Sequence, residues 1–157
     1  MTPEELCALI PHAGRMCLIS ALVDWDAERI RCRSDSHRSR DNPLRHQGRL
    51  HAAHAIEYGA QAAAIHAGLV GRARDSFPEP ALLAGASQVE LHATRLDDLP
   101  GPLEIRANRL LGLGKNVIYA FSVGHCGTEL AKGRLTLVRP GVRPGVGLAL
   151  GPGSEDR

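Results

Sequence analysis

Three polar side chains that could support catalysis interrupt an otherwise apolar stretch between His51 and Leu69. A helix would place His54, Glu57 and Gln61 on one stripe, because residues three or four positions apart share a face. A carboxylate and an imidazole held together are the groups that general acid and base catalysis uses. We therefore predict Glu57 as an acid or a water-activating base. His54, one turn before it, is either a catalytic histidine or a packed helix residue. Gln61 would orient Glu57 or a nearby loop carbonyl.

The same stretch predicts one long buried helix. Most of its other residues are alanine, glycine, isoleucine and leucine, and a helix that is apolar nearly all round packs inside a protein. Its polar residues fall near the middle of any plausible membrane span, which argues against one. Small side chains allow close approach, so we expect a sheet to wrap this helix.

The rest of the chain predicts a short first helix and a series of strands. Thr2 is placed to cap that helix, with Pro3 at its first position and Glu5 completing a capping box. The strand-like runs are Met16 to Trp25, Glu28 to Ser34, Ala81 to Thr94, Leu103 to Leu111, Asn116 to Val123 and Glu129 to Val138. This order predicts an α+β fold in residues 1–139. Residues 140–157, rich in glycine and proline, are predicted to form a tail.

Composition narrows the class of protein. A chain of 157 residues with 43% hydrophobic residues suits one domain. A net charge of +2 and 3% aromatic residues argue against nucleic-acid binding, although the basic loop from His37 to Arg49 would suit an acidic carrier. The four cysteines form no C-x-x-C pair and the start MTPEEL lacks the features of a signal peptide. We therefore expect a cytoplasmic protein without membrane contact.

Neither a metal site nor a nucleophile is predicted. His51 and His54 share a helix face, but Glu57 lies roughly 120° from His51 at about 100° per residue, so the three side chains cannot easily converge. Cys126 and Ser87 lie in no recognisable nucleophile motif.

Several ordered segments resemble the hotdog-fold (3R)-hydroxyacyl-acyl carrier protein dehydratases. The run EYGAQ from Glu57 resembles their central-helix motif E-x-x-A-Q, and LIPHAGRMCLI from Leu9 resembles their opening L-P-H segment. The segment before the helix, Gly48-Arg49-Leu50, is similar to the G-x-L of the branch predicted to act in aryl polyene biosynthesis. The closing hairpin, Lys115 to Arg134, is also similar.

This resemblance implies a hotdog fold, in which a long central helix is wrapped by a curved antiparallel sheet. It also implies a homodimer, or a heterodimer with another hotdog subunit, with acyl tunnels at the interface. The substrate would be a 3-hydroxyacyl thioester on acyl carrier protein or coenzyme A, with no metal and no cofactor beyond the carrier's phosphopantetheine. Gln61, Arg49 and Leu50 become substrate-binding candidates, the last through the backbone N–H groups from Leu50 to His54. The histidine of the opening motif, His12, would be structural.

One motif of the main dehydratase branch is absent. Its G-H-F-x-G-x-P-x-x-P-G loop carries a histidine where this chain has Pro43. His46 is the nearest loop histidine and the first candidate for the base, and His37 is a more distant one. Three functions stay open: a dehydratase, a thioesterase in which Glu57 activates water, and a noncatalytic subunit that pairs with an active hotdog partner. A structural alternative for Glu57 is a buried ion pair with Arg15 or another cation.

Overall fold

A computed structural model describes residues 1–75 and 80–139 of the chain. It contains two helices, α1 (Pro3–Cys7) and α2 (Ala55–Ala73). The strands are β1 (Ala21–Trp25), β2 (Arg29–Ser34), β3 (Leu82–Leu91), β4 (Leu103–Leu113), β5 (Asn116–His125) and β6 (Thr128–Val138). The predicted tail, residues 140–157, lies outside the described residues, so its assignment stays a prediction.

The strands form one antiparallel sheet in the order β1-β2-β4-β5-β6-β3. Helix α2 packs against β2 to β6, and its apolar residues join the inward-facing side chains of the strands in one core. In β2 the alternation predicts Ile30, Cys32 and Ser34 on one side, and these three are buried. The α+β prediction and the hotdog arrangement are therefore confirmed.

Both helix starts depend on local capping. At α1 the Thr2 hydroxyl accepts from the Glu5 N–H and the Glu5 carboxylate accepts from the Thr2 N–H, which is the predicted capping box. The long helix begins later than predicted, because His51 Nδ1 accepts from the Ala53 N–H at 3.0 Å. A short 3-10 turn over Ala52–His54 follows this cap. It leads into α2, which continues to Ala73 instead of ending at Leu69.

The first strand is shorter than predicted. The sequence predicts a strand from Met16, whereas β1 begins at Ala21. The backbone of Met16 and Leu18 bonds to the Gln61 side chain, and the Leu18 carbonyl also accepts from the hydroxyl of Ser36. Backbone groups that bond to side chains are not available for a strand ladder.

Two histidines are fully buried in neutral, structural settings. His66 on α2 contacts the Tyr119 hydroxyl through Nδ1 at 2.8 Å and the Asp26 carbonyl through Nε2 at 2.8 Å. His37, the more distant loop candidate for the base, contacts the Leu99 carbonyl at 3.1 Å instead of a substrate site. Burial is the main cause that lowers the pKa of both rings.

We expect this pair to make folding sensitive to acid. The folded-state pKa of both rings lies below the unfolded value of about 6.5, so the unfolded chain takes up protons first. The stability that the neutral rings provide is present above pH 6.5 or so and is lost as the pH falls below it, by at most about 1.4 kcal/mol per histidine and pH unit. Urea unfolding at pH 8 and pH 5.5 measures how much the free energy of unfolding changes with pH, and His66→Gln should reduce that change. Equal stability at both pH values would contradict the prediction.

Candidate active site

Glu57 lies in the first turn of α2 with its side chain 24% exposed. Two nitrogen atoms face its Oε1: Nε2 of Gln61, which donates a hydrogen bond at 3.2 Å, and Nε2 of His12 at 3.2 Å. No described residue bonds to the second oxygen, Oε2. The carboxylate is therefore held through one oxygen while the other stays available for chemistry.

Gln61 holds the neighbouring segment as well as Glu57. Its side chain is buried, its Oε1 accepts from the Leu18 N–H at 2.8 Å, and its Nε2 donates to the Met16 carbonyl at 2.6 Å. Both groups lie in the chain that follows His12. The i, i+4 spacing on α2 brings Gln61 to Glu57, whereas the two backbone contacts anchor a distant segment to the helix.

His12 is the partner of Glu57 that sequence reasoning missed. The resemblance assigns it a structural role, and the structural alternative pairs Glu57 with Arg15, yet Arg15 is exposed and His12 lies against the carboxylate. The His12 Nδ1 is buried without a hydrogen-bond partner among the described residues. A buried N–H without an acceptor is costly, which favours the tautomer that carries its proton on Nε2, facing Glu57. The L-P-H segment was the sequence signal for this site.

A mostly apolar cavity of about 450 Å³ opens beside this carboxylate. Its polar lining consists of Glu57, His12 and Gln61. The apolar lining residues are Ile10, Pro11, Ala60, Ala64, Ala81, Leu82 and Leu83. Three of these are alanines, whose small side chains leave the space open, so the cavity suits an apolar chain with its reactive group near Glu57.

The structure does not bring His46 to this cavity. His46 is exposed, and its backbone pairs with Arg49 around a tight turn, with N–H to carbonyl distances of 2.9 and 3.0 Å. The two turn residues, Gln47 and Gly48, both have positive φ, at 50° and 74°, as a type I′ turn requires. His46 and Arg49 therefore lie on an exposed hairpin, and neither lines the described cavity.

The loop that carries His46 is tied down from the helix side. The Tyr58 hydroxyl accepts from the Asn42 side-chain amide at 3.2 Å and lies 2.8 Å from the Ser36 hydroxyl. Asn42 also donates to the Ser36 carbonyl at 2.9 Å. This buried network gives the loop one position, which explains why a histidine close to the helix in sequence stays outside the site.

Four of the five predicted backbone donors at the helix start bond to acceptors within the protein. The Leu50 N–H donates to Asp97 at 2.8 Å, and its side chain is fully buried. The N–H groups of Ala52, Ala53 and His54 bond to acceptors within the chain. The Leu50 N–H therefore donates to a carboxylate of the protein, and the substrate-binding role of Leu50 stays a prediction.

His54 lies three residues before Glu57 but does not line the cavity. Its ring is half-buried, and desolvation is the main cause that lowers its pKa. Among residues 1–75 and 80–139, none bonds to this ring, whereas His12 and Gln61 both contact Glu57. The stripe therefore contributes Glu57 and Gln61 to the site, and the histidine comes from elsewhere.

The described residues contain neither a metal-binding cluster nor a membrane-spanning helix. Residues 1–75 and 80–139 contain no group of three or more His, Cys, Asp or Glu side chains that could hold a metal ion. Within the same residues, neither helix is both long and apolar enough to cross a membrane.

Similar solved structures share this architecture. The dehydratase heterocomplex ApeI:P from Xenorhabdus doucetiae matches with 25% identity and a TM-score of 0.78, over 87% of this chain and 91% of that chain. AziG from S. sahachiroi matches at 16% identity and 0.61, over 83% and 97%. Zebra fish thioesterase superfamily member 2 matches at 12% identity and 0.62, over 89% and 99%. The last two show the fold alone.

The sequence also matches a family model. No curated protein matches the chain. The family model described as ApeP-like, ApeP dehydratase, matches residues 4–144, which include His12, Glu57 and Gln61. The chain therefore belongs to the ApeP-like dehydratase family.

Proposed function

We propose that this protein removes water from a 3-hydroxyacyl thioester carried on the phosphopantetheine of an acyl carrier protein, in polyene-type biosynthesis. The observation that carries the proposal is the position of Glu57, whose Oε2 accepts no hydrogen bond from residues 1–75 or 80–139, beside a mostly apolar cavity of about 450 Å³. An acyl chain would lie among the alanines, and its C2 and C3 atoms would lie at the carboxylate. The dehydratase family supports the reaction class.

The proton balance of dehydration suits one carboxylate. Glu57 Oε2 takes a proton from C2, the electron pair forms the C2–C3 double bond, and the C3–O bond breaks. Glu57 returns the same proton to the departing oxygen, which leaves as water. One group can therefore serve as base and then as acid, with no net gain or loss of protons.

His12 and Gln61 act as positioning residues in this scheme. Both present nitrogen atoms to Oε1 at 3.2 Å, so they hold the carboxylate plane and leave Oε2 facing the acyl chain. The scheme thus depends on the geometry of Glu57 more than on a second proton carrier.

A second hotdog subunit completes the cavity in our proposal. Strand β3 is at the edge of the sheet, and its leucines Leu82 and Leu83 are 45% and 39% exposed while also lining the cavity. An exposed apolar edge strand is a surface for pairing with another chain. A second copy or a related subunit would cover the leucines, and the Xenorhabdus protein is itself a heterocomplex.

The Xenorhabdus heterocomplex also favours one alternative function, that of a noncatalytic subunit. A subunit of a heterocomplex can be catalytically silent, with its partner supplying the chemistry. Mass spectrometry of a 3-hydroxyacyl-acyl carrier protein, incubated with this chain alone and with a hotdog partner, tests the proposal. Loss of one water that depends on Glu57 supports it. Loss of the acyl chain indicates a thioesterase, and water loss that needs the partner and ignores Glu57 indicates a silent subunit.

The same assay tests whether His12 or His46 is the histidine on which turnover depends. We expect His12→Ala to lower kcat by roughly 10- to 100-fold with a smaller change in KM, because Glu57 loses one of the groups that orient it. His46→Ala tests the hypothesis from sequence and should retain wild-type turnover, since that ring is exposed outside the cavity. The reverse result would return the base to the loop. His12→Gln, which keeps an N–H donor, should recover part of the lost rate.

A further inference from the structure

A disulfide encloses the segment that carries His12. Cys7, at the end of α1, is bonded to Cys17, with Cα atoms 5.5 Å apart and a sequence separation of 10. His12 lies at the midpoint of the closed loop. The Cys7 sulfur also lies 3.5 Å from the His12 carbonyl oxygen. The cross-link therefore contacts the backbone of the residue that orients Glu57.

The two ends of this loop pack into the protein, whereas its centre lies at the surface. Leu9 and Ile10 are buried on one side, and the Leu18 N–H bonds to Gln61 on the other. Between them Pro11, Ala13 and Gly14 are exposed. The His12 side chain contacts Glu57, with 3.2 Å between Nε2 and Oε1. We therefore expect closure of the loop to affect where His12 lies.

Small thiols can reach this disulfide. Both cysteines are half-buried and line a surface cavity of about 540 Å³ together with His12. Cys32, in contrast, is fully buried, and burial raises the pKa of its thiol to about 12, which makes it unreactive. Cys126 is exposed but lies in the turn between β5 and β6. The Cys7–Cys17 pair is thus the accessible redox pair of the described residues.

We propose that Cys7 and Cys17 form a reversible disulfide that regulates the site by holding His12 against Glu57. This inference rests on the proposed function, because it concerns the same carboxylate. Two thiols lose two protons and two electrons to form the S–S bond, and a low-molecular-weight disulfide such as glutathione disulfide accepts them to give two thiols. In the reducing cytoplasm predicted from the sequence, the balance would follow the thiol pool, with the disulfide as the more active state.

The test uses the full chain with Cys126→Ser, equilibrated in glutathione buffers from reduced to oxidised. Intact mass after alkylation counts the free thiols at Cys7 and Cys17. Hydrogen exchange of residues 8–16 and the rate at which diethyl pyrocarbonate modifies His12 measure the loop. We expect the dithiol form to show faster exchange, faster modification, and turnover lower by about tenfold. Cys7→Ser with Cys17→Ser should match the dithiol form at every glutathione ratio.

The results distinguish a failure of the disulfide proposal from a failure of the proposed function. Equal exchange, equal His12 modification and equal turnover in both states overturn it, as does a pair that stays reduced in every buffer. If neither state releases water from the substrate, the proposed function fails. A redox-dependent change at His12 in that same experiment would still support the disulfide as the element that positions this residue.

Discussion

Glu57→Gln is expected to lower kcat for dehydration by about 100- to 10,000-fold, the range found when a positioned proton-transfer group is lost. Glutamine has the same shape, and its Oε1 can still accept from Gln61 and lie against His12. Its amide nitrogen would then take the place of Oε2, where it cannot accept a proton from C2. The measurement is the rate of loss of one water from a 3-hydroxyacyl-acyl carrier protein, followed by mass spectrometry.

The chain offers a matched control for this substitution. Glu129→Gln makes the same chemical change at a carboxylate on β6 that is 43% exposed and pairs with His92 outside the cavity. It should leave the rate unchanged. Thermal unfolding of both variants should stay within a few degrees of wild type, because the Glu57 side chain is partly exposed and its replacement is isosteric. Wild-type turnover in Glu57→Gln would remove this carboxylate from the mechanism.

Of the variants proposed for this protein, Gly59→Val is expected to lower the free energy of unfolding the most. Gly59 lies on the buried face of α2, and a Cβ at this position would lie 2.5 Å from one ring carbon of Phe121 and 3.0 Å from its Cβ. Phe121 is itself buried on β5, so the ring cannot move away without disturbing the core. Overpacking of this kind costs about 1–3 kcal/mol, and occasionally more for a branched side chain. The midpoint of thermal unfolding should fall by roughly 2–12 °C.

Gly85→Val is the control for Gly59→Val. A Cβ on Gly85, in strand β3, meets nothing within 4 Å, and valine is favourable in a strand. We expect its unfolding midpoint to match or slightly exceed the wild-type value. A Gly59→Val protein as stable as the Gly85→Val protein would mean that the helix and β5 are not in close contact. Calorimetry of both variants measures the difference directly.

Local patterns predicted the elements of the fold well. The capping box at Thr2, the alternating burial in β2 and the long apolar helix all depend on residues a few positions apart. The errors occurred at boundaries. The strand expected from Met16 begins at Ala21, because Gln61 on a distant helix bonds to the Met16 and Leu18 backbone. No local pattern contains that information.

The sequence by itself determined the pair Glu57 and Gln61, because one helical turn brings residues four apart together whatever the surrounding fold. The tertiary structure alone decided which histidine joins them. His12 is far from Glu57 along the chain and lies against it in a loop that the Cys7–Cys17 disulfide closes and that leads into the segment bonded to Gln61. His46 is closer in sequence, yet the Tyr58 network and a tight turn hold it at the surface. The physical reason is that helical periodicity fixes only local neighbours, whereas the approach of a loop to a helix depends on the packing of the whole core.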